Sequence, residues 1–332
     1  MEKRKKDHID LALNSQTLKE TIDDRFNYEP MFSPHPDGSP DFFDFLGRKQ
    51  KVPLWVSSMT GGTEMAGTIN RNLARACHEF GMGMGLGSCR IIMDDNTYFE
   101  DFNVRPIIGD EYPLYANLGI AQIEEIIESK SVDRIHSLLD RLQADGLVVH
   151  VNPIQEWCQP EGDKFKTAPI VTLEKLLDQT DFRVIVKEVG QGMGPKSLRA
   201  LMKLPLEAIE FAAYGGTNFT LVELARCSPA MKAHYEPLTT VGHTSEDMVN
   251  LANHIVDTEP EILCRQLIIS GGIKSFLDGY YLVKKSRLPA IYGQASGFLK
   301  HARGNYETLQ EYITYQVKGW QLAETYLTPK FD

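Results

Sequence analysis

Eight short apolar runs recur along the chain, most of them followed by residues with helical spacing, and this alternation narrows the possible folds more than any other feature. The runs are Val52 to Ser57, Met82 to Leu86, Leu114 to Asn117, Leu147 to Val151, Arg183 to Lys187, Ala208 to Ala212, Leu267 to Ser270 and Pro289 to Tyr292. Short β-branched runs bounded by polar and glycine residues read as buried strands. Between them, Gln122 to Leu142 and Glu246 to Ile255 have the clearest helical apolar spacing. Eight strands alternating with helices favour a closed parallel α/β barrel, the TIM (β/α)8 arrangement, over an open doubly wound sheet.

The length agrees with this. A barrel needs roughly 250 residues, and the chain has 332, with the surplus mostly ahead of the first strand. Residues 1–50 therefore read as an N-terminal extension and residues 51–332 as the barrel. Tyr28 to Pro40 is dense in Pro, Asp, Ser and Gly, which predicts an irregular loop. Residues 1–14 combine the basic cluster Lys3-Arg4-Lys5-Lys6 with Ile9, Leu11 and Leu13, and read as a segment partly docked on the body, with a frayed, solvated tail as the alternative. Glu307 to Tyr326 reads as a long amphipathic helix that caps the barrel or meets another subunit.

Composition excludes several function classes. A formal net charge of −10 disfavours nucleic-acid binding, which needs a basic face. Five cysteines without a Cys-x-x-Cys pair argue for reduced thiols rather than a disulfide framework or structural zinc. No apolar run reaches the length of a membrane span, and no apolar segment follows the basic N-terminus as in a secretory signal. The expectation is a cytoplasmic protein.

In a barrel of this kind the chemistry lies at the carboxyl ends of the strands. Three exits carry glycine pairs: Ser58-Met59-Thr60-Gly61-Gly62, Tyr214-Gly215-Gly216-Thr217 and Ser270-Gly271-Gly272-Ile273. Without Cβ atoms, backbone N–H groups can approach a ligand directly. Gly293-Gln294-Ala295-Ser296 adds small residues at the eighth exit, beside the usual phosphate-binding corner. Tight βα turns would also use such glycines.

The fifth strand ends in Lys187, which must reach solvent or face an anion because an unpaired buried ammonium is costly. Its residue type is open to a snorkelling surface role, a Schiff-base nucleophile or a cation facing an electron-rich cofactor. Ser88, Arg90 and Asn117 add a hydroxyl, a guanidinium and an amide to the same rim, with Arg90 open to a purely structural ion pair. The fourth exit presents His150, Asn152, Gln155 and Glu156, followed by Gln159-Pro160-Glu161-Gly162-Asp163. His150 and Asn152 share one side by two-residue periodicity, although a satisfied core histidine would look the same. Glu156 beside an amide suits a hard divalent cation such as Mg2+, or an ion pair with a rim lysine.

Taken together, Arg4-Lys5-x-x-His8, Met59-Thr60-Gly61-Gly62, Gly87-Ser88-x-Arg90, His150-x-Asn152-x-x-Gln155-Glu156, Gln159-Pro-Glu-Gly-Asp163, Val186-Lys187-Glu-Val-Gly190, Gly215-Gly216-Thr217 and Ser270-Gly271-Gly272-Ile273 resemble the type 2 isopentenyl diphosphate isomerases. The resemblance runs in order along nearly the whole chain. It implies an FMN-dependent barrel that interconverts isopentenyl and dimethylallyl diphosphate, with NADPH reducing the flavin. By the same resemblance Met59, Thr60, Gly61, Ser88, Asn117, Lys187, Thr217, Gly271, Gly272, Ala295 and Ser296 contact FMN. Arg4, Lys5, His8, Arg90, His150, Asn152 and Gln155 hold the substrate, Glu156 binds Mg2+, and Lys187, Gln155 and His150 carry the catalysis. A homo-oligomer, tetramer or octamer, is also implied. Cys89, Glu210 and Ala213 depart from the family's usual Gln, Asp and Gly. Two other readings are an FMN oxidoreductase of the hydroxy-acid oxidase kind and a non-catalytic sensor of phosphorylated ligands.

Overall fold

In a computed structural model, which describes residues 2–40 and 42–331, the eight apolar runs form eight strands. They are β1 (Leu54–Val56), β2 (Gly83–Gly85), β3 (Leu114–Gly119), β4 (Gly146–His150), β5 (Arg183–Lys187), β6 (Ala208–Glu210), β7 (Leu267–Ser270) and β8 (Ala290–Gln294). All neighbours are parallel, and β8 pairs with β1 to close the barrel. β5 and β7 have the expected limits; the others differ by one or two residues at an end, where an apolar run passes into a turn or a turn residue joins the ladder.

Side-chain alternation gives the barrel a dry lower half. Trp55, Tyr115, Val148, Ile185, Ala208, Ile268 and Ile291 cluster inside it with Phe45 and Leu46. The last two come from an antiparallel hairpin, Phe43–Phe45 with Arg48–Gln50. Its turn accepts and donates at the strand bases: Arg183 Nη1 donates to Leu46 O at 2.8 Å, and Leu46 N donates to Gln266 Oε1 at 2.9 Å. Asp145, just before β4, adds a clamp, accepting from Arg48 at 2.5 Å and from the buried Arg105 at 2.8 Å. Burying Phe45 and Leu46 is worth roughly 1.5–3 kcal/mol each. The hairpin thus plugs the amino end of the barrel and leaves the carboxyl end for chemistry.

Three expectations need correction. Gln122 to Leu142 is two helices, Ile120–Glu128 and Asp133–Leu142, because Lys130 adopts φ +56° between them; the apolar spacing carries across a break it does not encode. The basic N-terminal segment is a helix, Glu2–Ala12, but it is not docked. Ile9, Leu11 and Leu13 are 74%, 59% and 78% exposed, so no apolar burial holds it to the body. The C-terminal helix Tyr306–Tyr326 does not cap an end of the barrel. It lies against the outer helices Glu64–Phe80, Phe276–Lys285 and Ser296–Ala302, with Trp320 stacked on Tyr292 at 5.7 Å between centroids. Beyond it, Leu327–Pro329 pairs antiparallel with Phe26–Tyr28 of the extension.

Candidate active site at the carboxyl ends of the strands

Two residues beyond the dry layer the inward positions turn polar. Ser57, Asn117, His150, Lys187, Glu210 and Ser270 follow Trp55, Tyr115, Val148, Ile185, Ala208 and Ile268 on their strands, and β2 and β8 contribute Gly85 and Gly293. A polar layer on an apolar floor places ionisable groups where water is scarce and electrostatic effects are large. His150, Lys187 and Glu210 stand in matching register on β4, β5 and β6.

Each polar group has a defined state. Asn117 Nδ2 donates to Leu86 O at 3.1 Å, which turns Asn117 Oδ1 toward His150 Nδ1 at 2.7 Å. The His150 proton therefore sits on Nδ1 and leaves Nε2 as an acceptor. Burial, and then the neighbouring Lys187 ammonium, push the His150 pKa down to about 3, so the imidazole is neutral at pH 7. Lys187 is buried, and its ammonium has no hydrogen-bond or ion-pair partner among the described residues. Glu210 is fully buried; its Oε1 accepts from Ser270 Oγ at 3.2 Å, and its Oε2 has no partner.

Above this layer lies a cavity of about 490 Å³, lined by Lys187, Glu210, Thr217, Gly271, Gly272, Ala295 and Ser296 among others. Its wall is backbone. Gly271 (φ +93°) and Gly272 (φ +75°) lie in the left-handed region, and a Cβ on Gly271 would collide with the backbone of Ala213. Gly215 (φ +110°) faces Gly272 so closely that a Cβ there would lie 3.2 Å from the Gly272 Cα. Ala212, in the same wall, holds φ +42°, a strained position for a residue with a Cβ.

The opposite side is built from side chains. Met59, Ser88, Asn117, His150, Gln155 and Lys187 line an adjoining cavity of about 130 Å³. Behind it, the buried Asn152 Nδ2 donates to Gln155 Oε1 at 3.0 Å and to Glu156 Oε1 at 2.9 Å. Glu156 Oε2 accepts from Asp163 N at 2.8 Å, while Asp163 Oδ2 accepts from Arg90 at 2.7 Å and Gln122 at 2.9 Å. Gln155 Nε2 donates to the buried Glu223 at 3.3 Å. A third cavity, about 390 Å³, takes in Met59, Thr60, Thr217, Ala295 and Ser296.

The fold therefore brings together most residues singled out from the sequence. Gly61 lines none of these cavities, and a Cβ there would strike the Phe102 ring. Arg90 is half exposed and spent on Asp163, the structural pairing that its residue type left open. Arg4, Lys5 and His8 lie on the exposed N-terminal helix and line no cavity described above. Sequence reasoning missed Ser57; it named Ser58 and Ser270 at strand exits and Glu210 as a departure bearing on the flavin pocket, but gave none of the three a role. Counting inward in twos along each strand from its apolar core would have found Ser57, Glu210 and Ser270.

Fold and site define a class: a parallel barrel enzyme with a preformed small-molecule cavity over a buried lysine at its carboxyl face. No family model matches the sequence. The isopentenyl-diphosphate delta-isomerase of Rickettsia felis is 31% identical over 316 residues, covering 93% of this chain and 88% of that protein. The isopentenyl-diphosphate delta-isomerase of Deinococcus radiodurans is 38% identical over 234 residues, 70% of this chain and 66% of that protein. The chain belongs to the isopentenyl-diphosphate delta-isomerase family. Among solved structures, a mandelate oxidase mutant with an FMN adduct aligns with a TM-score of 0.56 at 13% identity, over 93% of this chain and 88% of that one. A flavocytochrome b2 mutant with pyruvate bound aligns at 0.61 and 12%, over 91% and 72%. At such identities the likeness concerns the barrel fold.

Proposed function

We propose that this chain interconverts isopentenyl diphosphate and dimethylallyl diphosphate, with FMN held in the 490 Å³ cavity over Lys187. One observation carries the reading. Beside the Lys187 ammonium, which has no partner and faces the cavity, three polar atoms, Ser57 Oγ, Ser58 Oγ and Glu210 Oε2, are buried and unsatisfied, and all three residues line that cavity beside the glycine cradle. Buried polar groups are rarely left unpaired, so these fit a planar polar ligand with a phosphate tail. Met59, Thr60, Ser88, Asn117, Lys187, Thr217, Gly271, Gly272, Ala295 and Ser296 would hold it.

Moving the double bond requires a proton delivered to one carbon and another removed from its neighbour. Bound in reduced form, FMN supplies the acid/base group for this exchange without net redox change. Lys187 favours negative charge on the ring; two unit charges about 4 Å apart interact by roughly 4 kcal/mol at an effective dielectric near 20. Neutral His150 with Nε2 free, and Gln155 with its amide fixed by Asn152 and Glu223, position the hydrocarbon. Glu156 would hold Mg2+, which would supply positive charge for binding the diphosphate, since Mg2+ favours carboxylate and phosphate oxygens.

The diphosphate end would draw Arg90 from Asp163 and bring Arg4, Lys5 and His8 over the mouth, with residues 1–50 acting in part as a lid on the barrel. The reading also includes NADPH as flavin reductant, a cytoplasmic location, and assembly as a tetramer or octamer, which size-exclusion with light scattering would check. The principal test has two parts. Added FMN should give the protein a bound-flavin absorption spectrum, and anaerobic assay with Mg2+ should yield dimethylallyl diphosphate without NADPH consumed in step. NADPH consumed mole for mole would instead mark an oxidoreductase.

A further inference from the structure

Glu210 has no role in the proton transfer above, yet it is the most deeply buried ionisable group of the polar layer, with no exposed surface. It stands in register with Lys187 on the neighbouring strand, and both line the same cavity. The two do not pair: no salt bridge within 4.0 Å joins them, and only Ser270 Oγ reaches the carboxylate. On the other side of Lys187 is His150, uncharged at neutral pH. Glu210 is thus the only acidic side chain among the residues lining the cavity that holds Lys187.

We propose that Glu210 is a positioning residue that acts through charge: its carboxylate opposes Lys187 across the flavin side of the cavity and limits how strongly the site favours an anionic ring. This rests on the reading that FMN occupies the cavity. A buried like charge raises the cost of adding an electron pair and its negative charge nearby, whereas a neutral amide in its place does not. Removing the carboxylate should therefore leave Lys187 unopposed, tighten binding of reduced FMN relative to oxidised FMN, and move the bound flavin's midpoint potential upward. Removing the ammonium should move it downward.

The experiment measures FMN dissociation constants in both redox states, and the midpoint potential, for wild type, Glu210→Gln, Glu210→Asp, Lys187→Gln and the double variant Lys187→Gln/Glu210→Gln. Glu210→Gln should raise the reduced-to-oxidised affinity ratio by about tenfold or more. Glu210→Asp, which keeps the charge, should stay near wild type, and Lys187→Gln should lower the ratio. If Glu210→Gln alone does not fold, the double variant compared with Lys187→Gln reports the same sign, because it leaves no unmatched buried charge. A wild-type ratio in Glu210→Gln with FMN still bound would overturn the proposal by showing a carboxyl that carries no charge effect. An equal shift in Glu210→Asp would reduce the effect to packing and overturn it as well. Wild-type protein that binds no FMN would instead refute the functional reading.

Discussion

The two sides of the barrel mouth are built in opposite ways. The side formed by the exits of β6, β7 and β8 is backbone: glycines at positive φ and small residues enclose an open cavity of about 490 Å³. The side formed by the exits of β3 and β4 is built from side chains: Asn117 pairs with His150, and behind them Asn152 holds Gln155 and Glu156, with Glu156 tied to the backbone of Asp163 and Asp163 to Arg90; the cavity on this side is only about 130 Å³. A backbone cradle cannot relax into a vacant site, because its shape is set by the strands. Side chains can, and most of these bond to one another. The contrast suits a resident cofactor on one side and, on the other, a substrate that must displace internal partners on every turnover.

The sharpest way to break this contrast is to put a side chain in the cradle. Gly271→Val should abolish FMN binding and lower activity by about a thousandfold or more, with strain of roughly 1–3 kcal/mol on the fold, because its Cβ meets the Ala213 backbone. Fluorescence titration of FMN, together with circular dichroism to confirm folding, checks it. On the other wall, Glu156→Gln should keep FMN affinity but lower the rate by about a hundredfold and weaken its Mg2+ dependence, read by titrating metal against rate. Deleting residues 1–8 should raise the substrate KM by about tenfold or more. It should leave FMN affinity and Tm unchanged, since that helix is exposed. An unchanged KM would remove Arg4, Lys5 and His8 from the site.

The smallest effect concerns pH. The His150 pKa is depressed in the folded state to about 3, against 6.5 ordinarily. Between these values the unfolded chain binds the proton and the folded chain does not. The stability associated with the neutral ring is full above 6.5 and is lost as pH falls through that window. His150→Gln should therefore show a shallower fall in Tm between pH 7 and 4.5 than wild type.

How much of this was legible depended on how locally each feature is encoded. The barrel followed from eight apolar runs, each carrying its own strand signal, and the glycine pairs and Lys187 were legible because residue type and strand-end position agree. The plug hairpin was overlooked: Phe43 to Gln50 is too short for its alternation to stand out, and its burial depends on a barrel not yet assembled. The helix break at Lys130 was hidden by apolar spacing that runs across it. The placement of Arg4, Lys5 and His8 is the least local case, since an exposed helix with no apolar anchor takes its working position from a ligand.

The most direct measurement gives the protein one equivalent of reduced FMN, Mg2+ and excess isopentenyl diphosphate in D2O without oxygen. Product and label are followed by NMR, and the flavin by absorbance. The account predicts many equivalents of deuterium-labelled dimethylallyl diphosphate per flavin while the flavin stays reduced. No product, or product limited to one equivalent with the flavin oxidised, would contradict it.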